Sequence, residues 1–326
     1  MKKRIVICGF GFMGQTHAAN IFKSSGLTLA AIVNPTAKEN KKPVTGNQDT
    51  GTFDWKLLDD VPFYPTLQQA FDSCEFDAAV ICSPTVFHAS AAIDCLRHGK
   101  DVFLEKPLCS NMAEAENMIA AANECKKVFH IGHCLRFFAE YSYLRSVCKS
   151  EKYGKLKHLK LMRRTGVPSW GAWKDKDTTL KSVTGPVFDL NIHDVDFALS
   201  LTGTPENISA AGEPGGEKLF TAQWQSSSGT TIMIEGGFSD QPAYPFRAGY
   251  TAFFENATLE YNSIAANPLV LSTGEKSETV TLAPQDGYQL EMQAFEEELF
   301  GRNTDHCTPE EAACAVDVCR KVMDLL

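Results

Sequence analysis

The feature that most constrains this fold is a glycine-rich turn close to the N-terminus. An apolar run at 4–8 predicts a short strand, and the sequence GFGFMG at 9–14 then opens a stretch with helical spacing. In such a turn Gly9 allows the tight bend, Gly11 lets a pyrophosphate approach the backbone, and Gly14 lets the helix pack against the strand. The helix N-terminus adds free N–H groups and a positive dipole. The turn therefore predicts a dinucleotide-binding site.

The rest of the first 130 residues alternates between apolar runs and helical stretches. The run DAAVIC at 77–82 is continuous, as expected of a strand buried on both faces of a parallel sheet. The pattern predicts a Rossmann domain over 1–130. Residues 35–60 are polar and rich in turn formers, which predicts a long loop or, alternatively, an ordered flap. The other predicted elements are strands at 29–33, 102–104 and 128–132, and helices at 88–98 and 111–125, the last capped by Ser110.

The pattern changes after about residue 131. Short β-like runs are separated by Gly, Pro, Asn and Ser, which predicts a mostly antiparallel sheet in an α/β domain over 131–326. Two closing helices are expected at 288–301 and 309–326. The predicted strands are 155–163, 219–225, 230–235, 250–254, 258–261 and 278–282.

Composition excludes several classes of protein. With 31 basic and 40 acidic residues the net charge is −9, which argues against a nucleic-acid partner. No apolar run approaches the roughly 18 residues of a membrane span. The 11 cysteines form no CxxC pair. They are expected to be reduced thiols in a cytoplasmic protein, without a disulfide framework or a zinc site. Glycines interrupt the N-terminal apolar stretch, which argues against a signal peptide.

The choice between NAD and NADP stays open. Asn34 stands where an NAD-specific fold usually has an acidic residue for the ribose hydroxyls. Lys38, Lys41 and Lys42 follow closely and could meet a 2′-phosphate. Lysines on a solvated loop explain them equally well.

A second motif ends the predicted strand at 102–104. A lysine at the carboxyl end of a central parallel strand points into the crevice where such sheets bind ligands, which makes Lys106 a site candidate. Pro107 restricts Lys106 to an extended backbone. The alternative is a lysine that pairs with Glu105 at a strand end.

A third motif is GPVFDLNIHDVD at 185–196. On a helix, Asp189, His193 and Asp196 would share one face. Such a set fits an acid/base pair, a metal site or a polar helix face. A metal would need a further ligand from elsewhere, and no metal is expected.

Four motifs in this order resemble the Gfo/Idh/MocA family of oxidoreductases: GFGFMG at 9–14, SPTVFH at 83–88, GKDVFLEKP at 99–107 and DLNIHDVD at 189–196. The late DGYQLEMQAFEEEL at 286–299 resembles a family helix as well. The resemblance implies an N-terminal Rossmann domain followed by a C-terminal α/β domain with a large open sheet. It also implies a homodimer or homotetramer that pairs through that sheet.

The resemblance assigns catalytic roles to Lys106, Asp189 and His193. The implied reaction transfers a hydride between a nicotinamide, NAD(P), and a secondary alcohol or ketone of a sugar, polyol or inositol. An imidazole suits proton transfer and an ammonium suits a developing alkoxide, although Lys106 could itself be the proton acceptor. Two alternatives remain: a redox-neutral NAD-dependent glycosidase that works by transient oxidation, and a nucleotide-sensing regulator.

Other site residues are expected from the same motifs. Substrate contacts are expected from Trp170, Trp173 and Tyr288, although packing also explains the tryptophans. Many family members have two glycines before the Asp-x-x-x-His element, whereas residues 185–188 here are Gly-Pro-Val-Phe, which is expected to reshape the substrate pocket. The expected cofactor contacts are Gly9, Phe10, Gly11, Phe12, Met13, Gly14, Asn34, Lys38, Ser83, Pro84, Thr85, His88, Glu105, Lys106 and Arg136.

Overall fold

The computed structural model describes residues 1–35, 53–168, 185–216 and 218–326. It divides into two compact units, which are described separately. The first unit contains residues 1–133 and 288–313, and the second contains 134–168, 185–287 and 314–326, within the described ranges.

The described residues form fourteen strands and eight α-helices. The helices are α1 Phe12–Lys23, α2 Leu67–Ser73, α3 His88–Arg97, α4 Met112–Cys125, α5 Ala139–Ser150, α6 Ile192–Thr202, α7 Gly287–Leu299 and α8 Pro309–Leu325. The strands are β1 Lys3–Cys8, β2 Leu27–Val33, β3 Phe63–Tyr64, β4 Ala78–Ile81, β5 Asp101–Glu105, β6 Phe129–Gly132, β7 Leu156–Gly166, β8 Pro205–Gly212, β9 Leu219–Ser226, β10 Thr231–Ser239, β11 Arg247–Phe254, β12 Thr258–Asn262, β13 Leu269–Thr273 and β14 Lys276–Thr279.

The first unit is built on a parallel sheet with strand order β3-β2-β1-β4-β5-β6. All four residues of β4 are fully buried, as predicted from its continuous apolar run. This order is that of the Rossmann fold. Strands β1 to β3 follow one another toward one edge of the sheet, and β4 to β6 follow one another toward the opposite edge, so the switch point lies between β1 and β4. The prediction of an N-terminal Rossmann fold is therefore confirmed.

Two details of the first unit differ from the sequence prediction. The cap of α4 is Asn111 and not Ser110: the Asn111 side chain accepts the N–H of Glu114. The Glu114 carboxylate accepts the Ser110 N–H in return, at 2.9 Å, which makes a reciprocal capping arrangement. The short elements β3 and α2 were not predicted, because each has too few residues for a clear period.

The last part of the predicted loop at 35–60 packs against the core of the first unit. Phe53 and Trp55 make edge-to-face contacts with Phe10, with ring centroids 5.7 and 5.6 Å apart. Residues 36–52, which include Lys38, lie outside the described residues.

A helix from the end of the chain completes the core of the first unit. Met292, Phe295 and Leu299 of α7 are buried in the same apolar cluster as Ile5 and Ile7 of β1. The helix predicted at 288–301 is confirmed at nearly these bounds.

The second unit carries an eight-stranded sheet with order β14-β13-β12-β11-β7-β10-β9-β8. Among the described strands of this second sheet, only β7 and β10 pair in parallel, so the predicted mostly antiparallel sheet is confirmed. Burial alternates along β9, which leaves one face of the sheet exposed. The sequence prediction missed β8 and β13, and placed the last strand at 278–282 where the structure has Lys276–Thr279.

Helices α5 and α6 cover the inner face of this sheet. Tyr141 of α5 contacts the rings of Phe197 of α6 and Tyr250 of β11, with centroids 5.0 and 5.4 Å away. This packing fixes the start of α6, where the third motif lies.

Candidate active site

Three glycines shape the turn between β1 and α1, each for a different reason. Gly9 has a φ of +92°, and a Cβ there would lie 2.7 Å from the backbone of Cys82. A Cβ on Gly14 would overlap the carbonyl oxygen of Gly9. A Cβ on Gly11 would meet no described atom within 4 Å, so its backbone faces open space. This open cradle at the N-terminus of α1 fits a pyrophosphate.

The other residues of the turn divide between core and surface. The side chain of Phe10 is buried among aromatic rings, and the residue is 5% exposed. Phe12 and Met13 begin α1 and are half-buried. The predicted contacts of these three residues with a cofactor remain predictions.

Asn34 follows β2 at the edge of the sheet where the strands end. Its backbone N–H donates to the carbonyl of Tyr64 at 3.0 Å, which holds this position beside β3. The side chain is half-buried and uncharged. The lysines that would help to discriminate NADP lie in the undescribed segment, so cofactor choice stays open.

His88 joins the loops that follow β4 and β5. Its Nε2 lies 2.8 Å from the carbonyl oxygen of Ser83, and its Nδ1 lies 2.9 Å from that of Pro107. Burial lowers the pKa of His88, and the two carbonyls oppose this effect. Pro84 and Thr85 lie in the loop that His88 holds. The structure thus gives the imidazole two backbone partners, and its predicted cofactor contact remains a prediction.

Lys106 follows the last residue of β5, and a buried hydrogen-bond chain lies behind it. The Oε2 atom of Glu105 accepts the backbone N–H of Lys106 at 3.2 Å. The Oε1 atom lies 2.7 Å from Nε2 of His17 on α1. His17 is fully buried and Glu105 is 6% exposed, whereas Lys106 is half-buried. The carboxylate therefore ties the lysine loop to the helix of the glycine turn.

Sequence reasoning missed His17. The available signal was a histidine one turn after Gly14, on a helix face that is otherwise packed into the core. Its partner is 88 residues away along the chain, so no local pattern identifies the pair.

The third motif begins with a π-helical turn, Val187–Asn191, which runs directly into α6. Such turns are frequent at functional sites. The departure from two glycines falls here: Gly185 has a φ of +113°, and Pro186 and Phe188 are buried. The predicted effect on the substrate pocket stays a prediction.

Two of the acidic residues in this motif are held in buried ion pairs. Asp194 accepts two hydrogen bonds from the guanidinium of Arg163, both at 2.9 Å, and a third from Asn191. Asp196 accepts two from Arg136, at 2.9 and 2.6 Å. All four charged side chains are at most 5% exposed. For Arg136, expected as a cofactor contact, the salt bridge is what the structure shows.

Opposing effects act on the buried Arg163–Asp194 pair: burial raises the pKa of the Asp194 carboxyl, and the Arg163 guanidinium opposes this rise. Burial alone would lower the pKa of the Arg163 guanidinium, but the Asp194 carboxylate raises it. The two parallel N–H···O bonds are the geometry in which guanidinium and carboxylate charges stabilise each other best.

The pairing separates the four ionisable residues of the motif into two groups. Asp194 and Asp196 are buried, whereas Asp189 and His193 are half-buried and four residues apart, about one helical turn. Asp196 is therefore more deeply buried than Asp189 and His193, with which it was expected to share one face. A metal on this motif would have to compete with Arg136 for Asp196.

The remaining predicted substrate residues are less informative. Trp170 and Trp173 lie outside the described residues. Tyr288 is half-buried in the first turn of α7.

Fold and glycine turn together define a dinucleotide-binding protein of the two-domain α/β class. Residues 3–133 match the model of an oxidoreductase family with an NAD-binding Rossmann fold, and residues 141–260 match the GFO/IDH/MocA C-terminal domain. The chain belongs to the GFO/IDH/MocA family of oxidoreductases, as its motifs indicated.

Curated relatives match part of the chain. The myo-inositol 2-dehydrogenase of Thermotoga maritima is 27% identical over 203 residues, 61% of this chain and 55% of that protein. The 4-carboxy-2-hydroxymuconate-6-semialdehyde dehydrogenase of Sphingobium is 28% identical over 145 residues, 44% of this chain and 42% of that one. The matched region spans about half the length of these relatives.

Solved structures share the fold over the whole chain. A UDP-N-acetylglucosamine 3-dehydrogenase from Acidithiobacillus ferrooxidans gives a TM-score of 0.81 at 21% identity and covers 100% of this chain and 98% of that one. Among the described helices, none has both the length and the apolar character of a membrane span.

Proposed function

We propose that this protein is an NAD(P)-dependent oxidoreductase that transfers a hydride between the nicotinamide and a secondary alcohol or ketone of a sugar, polyol or inositol. One observation carries the proposal most directly. Within eight residues, two acids are buried against arginines, while Asp189 and His193 are only half-buried. A purely structural helix face has no need for this division.

The first unit fits the dinucleotide. The backbone at Gly11 and the N-terminus of α1 would hold the pyrophosphate, and Asn34 would bond a ribose hydroxyl. Ser83 and Thr85 would line the nicotinamide side of the sheet, where the strands end. The bound nicotinamide supplies the hydride acceptor or donor.

The protein's own groups handle the proton and the charge. In alcohol oxidation His193 takes the hydroxyl proton as the hydride leaves, because a neutral imidazole accepts a proton near neutral pH. The Lys106 ammonium stabilises the developing alkoxide. Asp189 orients the imidazole and balances its charge once it is protonated. In the reverse direction His193 returns the proton to the ketone oxygen.

The substrate class is argued from relatives. Curated relatives include inositol 2-dehydrogenases and a D-glucoside 3-dehydrogenase, all of which are named for oxidation at a ring carbon. We also propose a cytoplasmic location, which the eleven free thiols support. A homodimer or homotetramer that pairs through the exposed face of the eight-stranded sheet completes the proposal.

The test follows reduced-nicotinamide absorbance with the full chain, NAD⁺ or NADP⁺, and a panel of inositols, aldoses, polyols and glycosides. The proposal expects turnover with at least one alcohol, lost in His193→Asn and kept in His158→Asn, an exposed histidine of β7. Cleavage of a glycoside without net cofactor reduction would replace the proposal with the redox-neutral glycosidase. Nucleotide binding without any turnover across the panel would favour the regulator.

A further inference from the structure

Two histidines and a glutamate meet in the first unit, apart from the residues assigned above. His130 lies on β6, Glu298 near the end of α7, and His306 in the segment before α8. Nδ1 of His130 is 3.2 Å from Oε2 of Glu298, and Nδ1 of His306 is 2.6 Å from Oε1. Each residue offers one ligand atom, and these atoms all lie within 4.8 Å of one another.

The surroundings hold these side chains in place. The His130 ring is stacked on Phe103 and lies edge-on to Phe295, with centroids 5.0 and 5.7 Å away. On its other side it stacks against the His306 ring at 5.0 Å. Ile131 and Cys307 form an isolated antiparallel β-bridge through their backbones, which fixes the His306 segment beside β6. The cluster is thus anchored by a strand, a helix and a paired loop.

Access differs among the three residues. The side chain of His130 is fully buried, that of Glu298 is 8% exposed and that of His306 is 19% exposed. The cluster is therefore shielded on the core side and open along the edge at His306. This edge is the side from which an ion, and a water molecule to complete its coordination, would reach the cluster.

We propose that His130, Glu298 and His306 form a binding site for a divalent transition metal, with zinc as the best match. Imidazole nitrogen and carboxylate oxygen are the ligands that zinc takes alongside thiolate. Tetrahedral bonds of about 2.0–2.2 Å place ligand atoms roughly 3.3 Å apart. The atoms of His130 and Glu298 already have this spacing.

To bind the metal, each imidazole carries its proton on Nε2, so that Nδ1 coordinates the ion in place of its hydrogen bond to the carboxylate. Glu298 also accepts a hydrogen bond from the hydroxyl of Thr304, which lies 3.1 Å from Nδ1 of His306 as well and so helps to orient both ligands. Nε2 of His130 has no hydrogen-bond partner among the described residues. Because this half of the outer shell is missing, binding is weaker than in a site whose ligands are all supported.

The role of the metal is structural. It links the end of α7 and the loop before α8 to β6, the edge strand of the parallel sheet. Metal bound only by the folded state stabilises that state by mass action. This site does not depend on the proposed reaction.

The experiment titrates chelator-treated full-length protein with Co²⁺ and then with Zn²⁺. It records the visible absorption of bound cobalt and the melting temperature. The proposal expects a single equivalent of cobalt bound with a tetrahedral spectrum, its displacement by zinc, and a higher melting temperature with zinc. His306→Ala and the isosteric Glu298→Gln alter ligands directly, so each should weaken binding by more than the roughly 10- to 100-fold that loss of an outer-shell partner costs.

His158→Ala, which removes an exposed histidine of β7 outside the cluster, is the matched control and should bind as the wild type does. Equal binding by the wild type and Glu298→Gln would overturn the proposal. So would the absence of cobalt binding by the wild type, which would make the cluster a hydrogen-bonded network only. Turnover is not a readout here, so failure of this site and failure of the proposed oxidoreductase are distinguished.

Discussion

The two units support their candidate catalytic residues in different ways. In the first unit, Lys106 is backed by a single chain of hydrogen bonds through Glu105 to His17. In the second unit, His193 lies on a helix whose neighbouring aspartates are each held by two bonds to an arginine. The support behind Lys106 depends on a histidine–glutamate hydrogen bond, whereas the support behind His193 depends on buried arginine–aspartate ion pairs.

The difference determines what each support does when it is broken. A buried carboxylate that loses its arginine is left as an uncompensated charge, at a cost of about 3–5 kcal/mol. A lost hydrogen bond to a charged group costs about 1.5–3 kcal/mol. We therefore expect damage behind His193 to appear mainly as loss of stability. Removing a residue of the support behind Lys106 should mainly misplace the lysine and so lower kcat.

The largest expected effect removes Lys106 itself. Lys106→Met should reduce kcat by roughly 10²- to 10⁴-fold, because the alkoxide loses its positive partner. Nucleotide affinity, measured by fluorescence titration, should fall much less than kcat, because Lys106 is only one of many expected cofactor contacts. Lys276→Met, at an exposed lysine of β14, is the control. Unchanged turnover in Lys106→Met would remove this residue from the mechanism.

The second effect tests the charged support. Arg163→Met should lower the free energy of unfolding by about 3–5 kcal/mol, because Asp194 is left buried and unpaired. Arg164→Met alters the neighbouring, partly exposed pair with Glu235 and should cost no more than about 1 kcal/mol. Urea denaturation measures both variants. Adding Asp194→Leu to Arg163→Met should recover much of the loss, and a further decrease instead would contradict the charge argument.

A smaller effect tests the support behind Lys106. His17→Ala should lower kcat several-fold and stability by about 1–3 kcal/mol, because Glu105 loses its partner. His17→Gln retains an N–H donor and should restore kcat more than stability. A purely structural role would make the two losses recover together. Comparing how much of the kcat and how much of the unfolding free energy His17→Gln recovers therefore decides between a positioning role and a purely structural role.

The smallest effect concerns His88, which holds the Pro107 carbonyl next to Lys106. Its pKa is lowered by burial, against the opposing influence of its two carbonyls and of Glu105. Well above about pH 6.5, His88 is neutral in both the folded and the unfolded chain, so it contributes no pH dependence to the stability. As pH falls below about 6.5, the unfolded chain takes up the proton first, so stability falls until the folded-state pKa is passed. His88→Asn should show a shallower loss of stability between pH 7.5 and 5.5, and an identical slope would rule out this group as its source.

The sequence predicted features that arise from local patterns. The continuous apolar strands and the glycine turn were recognised because their periodicity and spacing directly reflect burial and backbone freedom. The edge strand β8 was missed because none of its residues is buried. Strand β13, one position in from the other edge, was missed because it has only five residues, of which two are buried.

The site was predicted only in part. Lys106, Asp189 and His193 came from motifs, and their roles remain predictions. The division of Asp189 from Asp196 could not be predicted, because it depends on Arg136, which is 60 residues from its partner. His17 and the His130–Glu298 contact involve still longer separations of 88 and 168 residues.

The return of α7 to the first unit has a consequence for synthesis on the ribosome. The core around β1 includes Met292, Phe295 and Leu299, so it cannot close when residue 133 has emerged. At roughly 5–20 residues per second, the nascent Rossmann strands wait about 8–33 seconds for that helix. During this interval their apolar surface is uncovered. A chaperone that binds nascent chains therefore has a defined window and a defined surface on which to act.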